Sequence, residues 1–486
     1  MRIVKRILLG LLLLIVLLVA AFVTFIGPWP TYASSNFESA DYYRRALRDI
    51  ATAAAANEFS DAPGPLLAGW ASRDITPKPG TPMGGYGARF NVTPSNLLFD
   101  KYEGDKNATG VHDPLHVKAL ALGDGRDTAV IVGADMLIIP PNIAAMVREQ
   151  VAAATPLTER HILFGASHTH CGPGGFAPGI AARITGGKHD PELVAMIARQ
   201  FAEAIIEAYN TIQPARLAHR GVDASQFIRN RARDAGVDSE LSYLSIERDD
   251  GTRCFLVSFS AHPTIHGDDM LEFTAEYPGA LMRALARDTG AEVVYLGGAL
   301  GSMGPRAPEG RTPHERVNAM GEGLAQLIVG DLARIGSQDY LYTADVASIG
   351  VPLGMPPLQM RPGGTKWRLS PFVAKLLGNP MEGWIQGVRV GDLVFFGAPF
   401  DLSGETSAEW KRWAEREGID LWTSSFCAAY CGYLSPDKYY NVEPLGYETG
   451  FMSWCGPDAE AYFTALLERT VEAIRPAAAA TLRDAA

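Results

Sequence analysis

The residues best suited to do chemistry in this chain are two histidines one residue apart. His168 and His170 lie in His161-Ile-Leu-Phe-Gly-Ala-Ser-His-Thr-His-Cys-Gly-Pro-Gly-Gly-Phe176. The apolar run Ile162 to Phe164 reads as a buried strand. Side chains two apart on a strand point the same way. The spacing therefore predicts both imidazoles on one side at a strand end, where the glycine-rich loop opens into a pocket. One imidazole can then bind a metal while the other meets substrate or orients a ligand. The plainer alternative is a pair of surface histidines. With only ten histidines in 486 residues, the chemical reading is the one developed here. A second histidine ends another strand-like run, in Ser260-Ala261-His262-Pro263.

The elements that must position these residues alternate. Strands are expected within Leu67 to Pro77, leading into the glycine-dense loop Pro82 to Gly87, and at His116 to Leu122, Thr128 to Ile139 (interrupted by Asp135), Val293 to Leu296 and Asp392 to Phe396. A β-hairpin is expected from Leu241 to Phe259 around Asp249-Asp250-Gly251. Helical patterns cover Pro141 to Ala154, Leu193 to Tyr209, His314 to Ile335, Ser407 to Gly418 and Asp458 to Ile474. Strand, helix, strand in this order predicts a mixed α/β (α+β) architecture: one large catalytic domain with mixed sheets and flanking helices, over residues 65–480. Arg229-Asn-Arg-Ala-Arg233-Asp234 packs four charges into six residues and reads as a solvated loop. His112, Asp113 and His116 fall in a loop expected to face the pocket, with no role assigned to them.

Composition bounds the partners. The chain is 47% apolar and 20% charged, with a formal net charge of -11. No basic cluster with interleaved aromatics is present, which argues against nucleic acid. The five cysteines form no C-x-x-C pair. Cys427, Cys431 and Cys455 are close enough in sequence for one disulfide in an oxidising compartment.

The N-terminus reads as a membrane element. Residues 1–6 carry Arg2, Lys5 and Arg6, and residues 7–27 carry no charge. Twenty-one apolar residues suffice to cross a bilayer, which takes ~20. An uncleaved signal anchor is favoured over a cleaved signal peptide, whose apolar region is usually shorter. Residues 28–64 form a membrane-proximal linker with a short helix from Tyr42 to Asn57. The positive-inside rule places the tip in the cytoplasm and the body outside, on the periplasmic face of a bacterial inner membrane, or secreted if the anchor is cleaved. Pro352 to Glu382, rich in Pro, Met and Gly and holding Lys366, Trp367 and Phe372, suits either a membrane interface or a surface insertion packed on the body.

Several segments together resemble the neutral/alkaline non-lysosomal ceramidase family, in its short bacterial form without the C-terminal immunoglobulin-like domain. They are Gly165 to Gly175, Asn230-Arg231, Ser260 to Pro263, Tyr430-Cys-Gly-Tyr433 with Tyr447-Glu448, the Arg73-Asp-Ile-Thr-Pro77 opening and the Met83-Gly-Gly-Tyr-Gly87 loop. The resemblance implies a zinc ion held by His168, His262, Asp401 and Tyr433, with Glu405 as the fallback acid. Asp401 stands where the family has Glu. It also implies His170, Arg231 and Tyr447 as catalytic groups around the substrate carbonyl. The family's nucleophilic serine position is Gly304 here, and the nearest hydroxyl is Ser302, two residues earlier. The implied activity is cleavage of the N-acyl bond of ceramide-like lipids by zinc-activated water. Two alternatives remain open: a zinc esterase or amidase acting on a non-sphingolipid, and a catalytically degenerate lipid-binding protein.

Overall fold

Period-two alternation decides how the strands are used. In a computed structural model of the chain, which describes residues 2–31, 36–57, 62–361, 365, 367–376, 382–442 and 446–475, Val117, Ala119 and Ala121 point to one face of a strand. Leu120 and Leu122 point to the other, and all five are buried. A strand buried on both faces belongs between layers.

In chain order the principal elements are helix α1 (Arg2–Ala21), α2 (Asp41–Ala54), strands β1 (Leu67–Asp74), β2 (His116–Gly123) and β3 (Thr128–Ala134), α3 (Pro141–Ala154), β4 (Ile162–Ala166), α4 (Pro191–Asn210) and β5 (Gln213–Asp223). Then come β6 (Ile228–Asn230), β7 (Glu240–Arg248), β8 (Arg253–Phe259), α5 (Glu276–Thr289), β9 (Glu292–Gly297), β10 (Met303–Pro305) and α6 (Pro313–Leu332). The last third holds β11 (Val346–Gly354), β12 (Glu382–Val390), β13 (Leu393–Gly397), β14 (Asp401–Leu402), α7 (Gly404–Arg416), β15 (Asp420–Ser424), β16 (Tyr433–Leu434) and α8 (Ala459–Ala473).

Eight strands make one mixed sheet in the order β9-β8-β7-β5-β1-β2-β3-β4. The pairs at its two ends, β8 with β9 and β3 with β4, are parallel; the others are antiparallel. The sheet curls until its ends meet. An added Cβ at Gly133 in β3 would lie 2.2 Å from the Tyr295 carbonyl oxygen of β9, so only glycine permits that approach. The curl matters for function, because His168 follows edge strand β4 while His262 follows β8 near the opposite edge. Helices α3 and α4 cover the outer face of one half of the curled sheet, and α5 and α6 cover the same face of the other half. A second sheet, β11-β12-β13-β15, closes the inner core through Val388, Phe395 and Trp422.

The two sheets are also tied by charge. His219 Nδ1 lies 2.7 Å from Asp420 and its Nε2 lies 3.3 Å from Asp392. Hydrogen bonds to these two carboxylates raise the imidazole pKa to about 10. The folded value is above the unfolded ~6.5. The stabilisation is therefore complete below that value and lost as pH rises through about 10. The thermal midpoint should fall between pH 7 and pH 10 by several degrees more in the wild type than in His219→Gln. Parallel melting curves would show that the contact carries no stability.

The helix read as a spacer lies against the body. Tyr43, Ala46 and Ile50 of α2 are buried and join the core of the second sheet. The apolar helical span Ile3–Ile26, by contrast, has no buried surface in its most apolar stretch. Just after it, Trp29-Pro30 pairs antiparallel with Trp367-Arg368, and Ser370 Oγ donates to the Thr24 carbonyl at 2.5 Å. Part of the Pro352 to Glu382 stretch is thus bonded to the base of the apolar helix; its residues 362–364, 366 and 377–381 lie outside the described set. The expected disulfide is not formed. All five cysteines are buried, and the Cys427 thiol donates to the Phe164 carbonyl at 2.7 Å.

Candidate metal centre

Three imidazoles converge where the sheet closes on itself. His170 Nε2 lies 3.3 Å from His168 Nε2 and 3.0 Å from His262 Nε2. The route differs from the one the spacing predicts. Strand β4 ends at Ala166, and His168 has a left-handed backbone, φ 64°. Such a conformation is costly for a residue with a Cβ and is held only by its surroundings. Here the ring stacks on Phe426 (centroids 4.1 Å apart, planes at 11°), and Nδ1 donates to the Leu137 carbonyl at 2.5 Å. His262 is held similarly: its Nδ1 donates to the Leu300 carbonyl at 3.2 Å.

These two hydrogen bonds fix the tautomers. A neutral imidazole that donates from Nδ1 presents a lone pair at Nε2. Burial disfavours protonation: it pushes His168 down to about 3 and His262 and His170 well below their usual value. The lone pairs of His168 and His262 face His170 Nε2 at this range, where an Nε2–H on His170 satisfies one of them and a cation among the three satisfies all. Nitrogens ~2.0–2.1 Å from one tetrahedral zinc stand ~3.3 Å apart, close to the observed spacing. His170 is different. Its Nδ1 is buried with no hydrogen-bond partner among the described residues, so nothing selects its tautomer.

The acid and the tyrosine come from the two-stranded pair β14 and β16, where Asp401 and Tyr433 stand in register. Asp401 is 1% exposed. Neither carboxylate oxygen has a hydrogen bond among the described residues, and Oδ2 is 4.0 Å from His262 Nδ1. Burial raises its pKa to about 7, against the pull of Arg231 and Tyr433. A buried acid without close donors stays neutral or pairs with a cation; with two imidazoles and a phenol it is a donor set of the zinc type. Asp401 nonetheless stands behind His262, outside the close triangle of nitrogens.

Arg231 and Tyr447 share one acceptor. Arg231 Nε and Nη2 donate to the Gly301 carbonyl at 3.2 and 3.1 Å, and Tyr447 Oη donates to it at 3.0 Å. Arg231 Nη2 also donates to Tyr433 Oη at 3.2 Å, which ties the arginine to the Asp401–Tyr433 pair. Tyr447 keeps 42% of its surface exposed; its hydroxyl points in and its ring edge out. Ser302 and Glu405, the remaining sequence candidates, are engaged with each other. Ser302 Oγ, fully buried, donates to Glu405 Oε2 at 2.6 Å and accepts from the Gly404 amide at 3.0 Å. Ser403 and Arg233 occupy the rest of that carboxylate.

Arg233 and Glu448 were not singled out from the sequence. Arg233, in the run read as a solvated loop, is 16% exposed at its side chain. It bridges Glu405 and Glu448, whose carboxylates are 8% and 1% exposed. Its guanidinium also lies 4.1 Å from the Tyr439 ring centre. The density of cations in that run was the available signal; the buried acids lie about 170 and 215 residues away in sequence, beyond any local pattern.

The sequence model described as neutral/alkaline non-lysosomal ceramidase, N-terminal, matches residues 101–264. That range holds His168, His170, Arg231 and His262; Asp401, Tyr433 and Tyr447 lie beyond it. The structure is similar to neutral ceramidase from Pseudomonas aeruginosa, at 19% identity and TM-score 0.69, over 85% of this chain and 74% of that one. It is similar to a ceramidase complexed with C2, at 17% identity and TM-score 0.69, over 84% of this chain and 75% of that one. No curated protein matches by sequence. Residues 101–264 thus match the neutral/alkaline non-lysosomal ceramidase model, and the chain shares the fold of neutral ceramidase.

Proposed function

We propose that the protein is a membrane-anchored, zinc-dependent amidohydrolase that cleaves the N-acyl bond of ceramide-like lipids. The observation that carries this is the cluster of three imidazoles, two of them buried with Nδ1 committed to backbone carbonyls. His168, His262, Asp401 and Tyr433 would hold the ion. When bound, zinc supplies an activated water near neutral pH. His170, whose Nδ1 is not committed to a partner among the described residues, holds and passes the proton to the leaving amine. Arg231 and Tyr447, which share the Gly301 carbonyl, would turn donors from it to the acyl oxygen as charge grows there. Ser302 Oγ is fully buried among Glu405, Ser403 and the Gly404 amide, away from solvent and substrate, so no attack on the acyl carbon is assigned to it. The helical span Ile3–Ile26 anchors the chain, and the body lies on the extracytoplasmic side. The bonded strip from Trp367 to Phe372, with Trp367 and Phe372 exposed, brings the body to the lipid surface.

The test is a hydrolysis assay on the purified full chain in detergent, with a fluorescent ceramide beside an N-acylethanolamine and a fatty-acyl ester. Ceramide should be cleaved fastest, with activity lost on chelation and restored by zinc. A zinc-loaded chain that leaves ceramide intact would overturn the substrate assignment.

Position 304 gives a second test. An added Cβ at Gly304 would meet Arg231 Cβ at 3.2 Å and Cδ at 3.3 Å. Gly304→Ser restores the hydroxyl found in the family, but it crowds the arginine. Hydrolysis is expected to fall about tenfold, equivalent to ~1.4 kcal/mol of transition-state stabilisation. A rise in rate would show instead that a serine nucleophile is what the site lacks.

A further inference from the structure

A second group of ligand-type side chains converges beside the first. His112, Glu272 and His314 bring ligand atoms within 4.8 Å of one another, from three segments far apart in sequence. His112 follows the short strand Gly110–Val111, and Glu272 opens the strand Glu272–Phe273, paired parallel to it. The His112 amide donates to the Phe273 carbonyl at 2.9 Å, so both bases are fixed by backbone bonds. His314 sits in the first turn of α6, which Thr312 caps by accepting from the Glu315 amide at 3.2 Å.

The side chains themselves have no hydrogen-bond or ion-pair partner among the described residues. The Glu272 carboxylate has no hydrogen bond or ion pair among the described residues. The neighbouring Asp113 carboxylate, by contrast, is fully used by Thr274, the Ala275 amide and Arg283. The His112 and His314 rings stack, with centroids 4.0 Å apart. The ring of His266, a residue only 3% exposed, meets His314 at 4.5 Å. Nδ1 of His314 and Nε2 of His266 are buried with no hydrogen-bond partner among the described residues. His112 is exposed and Glu272 and His314 are half-buried, so the cluster opens to solvent, and two imidazoles beside a carboxylate at this range are a donor set for a cation. Two or three imidazoles with one carboxylate select zinc-type ions over magnesium or calcium, which prefer oxygen alone.

We propose that His112, Glu272 and His314, backed by His266, bind a second zinc-type ion that braces the first site. Two links carry the brace. Thr274, two residues after Glu272, accepts from Thr169 Oγ1 at 2.7 Å and donates its amide to the Cys171 carbonyl at 3.1 Å, on either side of His170. The His266 carbonyl accepts from Tyr86 Oη at 2.6 Å, and the Tyr86 ring lies 4.8 Å from that of His170. An ion joining Glu272 to the histidines therefore holds both segments that place His170.

The experiment is zinc content and zinc affinity of the full chain in detergent. The wild type is compared with His112→Ala/His314→Ala, with the milder Glu272→Gln, and with His168→Ala/His262→Ala. The wild type should hold two zinc ions and each double variant one. Zinc affinity at the second site should fall at least ~10–100-fold in Glu272→Gln, with the metal-free thermal midpoint unchanged. The ion left in His112→Ala/His314→Ala should be the one absent from His168→Ala/His262→Ala, so failure at one site is separable from failure at the other. Excess magnesium should displace neither. The proposal is overturned if His112→Ala/His314→Ala retains the wild-type number of zinc ions, if the only zinc in the wild type is the one lost with His168 and His262, or if magnesium displaces the second ion.

Discussion

Replacing His262 or His168 by alanine is expected to remove the zinc bound at the three-imidazole cluster and to lower ceramide hydrolysis by at least ~10³-fold, the scale of losing a preorganised electrostatic group. The same substitution at His170 should act differently. Zinc should remain, and the rate should fall by ~10²–10⁴-fold, the range for removing a general acid or base. The distinction rests on what the far nitrogen of each ring does. His168 and His262 each spend Nδ1 on a carbonyl, which orients the ring and fixes the lone pair toward the cluster, as in oriented metal ligands. The Nδ1 of His170 has no such partner among the described residues. Asp401→Asn keeps the shape of the acid and removes its charge; it should weaken zinc binding while leaving the fold intact. Metal content measured beside the rate of each variant decides the matter. Loss of zinc in His170→Ala, with zinc retained in Asp401→Asn, would replace the acid by a third imidazole in the ligand set.

The histidines were legible in the sequence because each follows a short apolar run and precedes a glycine- or proline-bearing loop. That pattern says a strand ends; it does not say how the backbone turns afterwards. The spacing predicts His168 at the strand end, and it lies two residues beyond the strand in a left-handed turn. The same limit applied to whole elements. Helix α3 was expected at its observed bounds, since its apolar face repeats with helical period. Strand β5 gave no such signal. It carries Arg216, His219 and Arg220 among its apolar residues, and these are satisfied by Glu247, by Asp392 and Asp420, and by Asp331. A strand whose polar residues find partners in other layers loses the alternation that identifies strands from sequence. The fold class needed only the stretches whose pattern survives; the site needed pairings made across hundreds of residues. Its tyrosine and its acid were reached through the family resemblance.

Those long-range pairings concentrate on one arginine, and its removal is the largest stability effect expected outside the core. Arg233 is the cation between Glu405 and Glu448. Taking one partner from a buried ion pair strands the other, at a cost of about 3–5 kcal/mol. Arg233→Ala should therefore lower the unfolding free energy by about that amount in urea titrations, and Arg233→Lys should recover only part, because an ammonium lacks the fork that reaches two carboxylates. The effect has a sign with pH. Burial raises Glu448 to about 7, against the pull of Arg233. Its unfolded value is ~4.3. A group raised on folding contributes stability that is present below the unfolded value and lost as pH rises through the folded one. Without Arg233 the folded value climbs further, so the variant suffers most where the carboxyl would have to be charged. The deficit of Arg233→Ala should be larger at pH 8 than at pH 5. An equal deficit at both would mean that Glu448 is charged throughout and finds another cation. The consequence also reaches the site. Glu405 holds Ser302 and Ser403, Ser302 follows the Gly301 carbonyl shared by Arg231 and Tyr447, and Ser403 stands two residues after Asp401. Zinc affinity should therefore weaken in Arg233→Ala even under conditions where the variant remains fully folded.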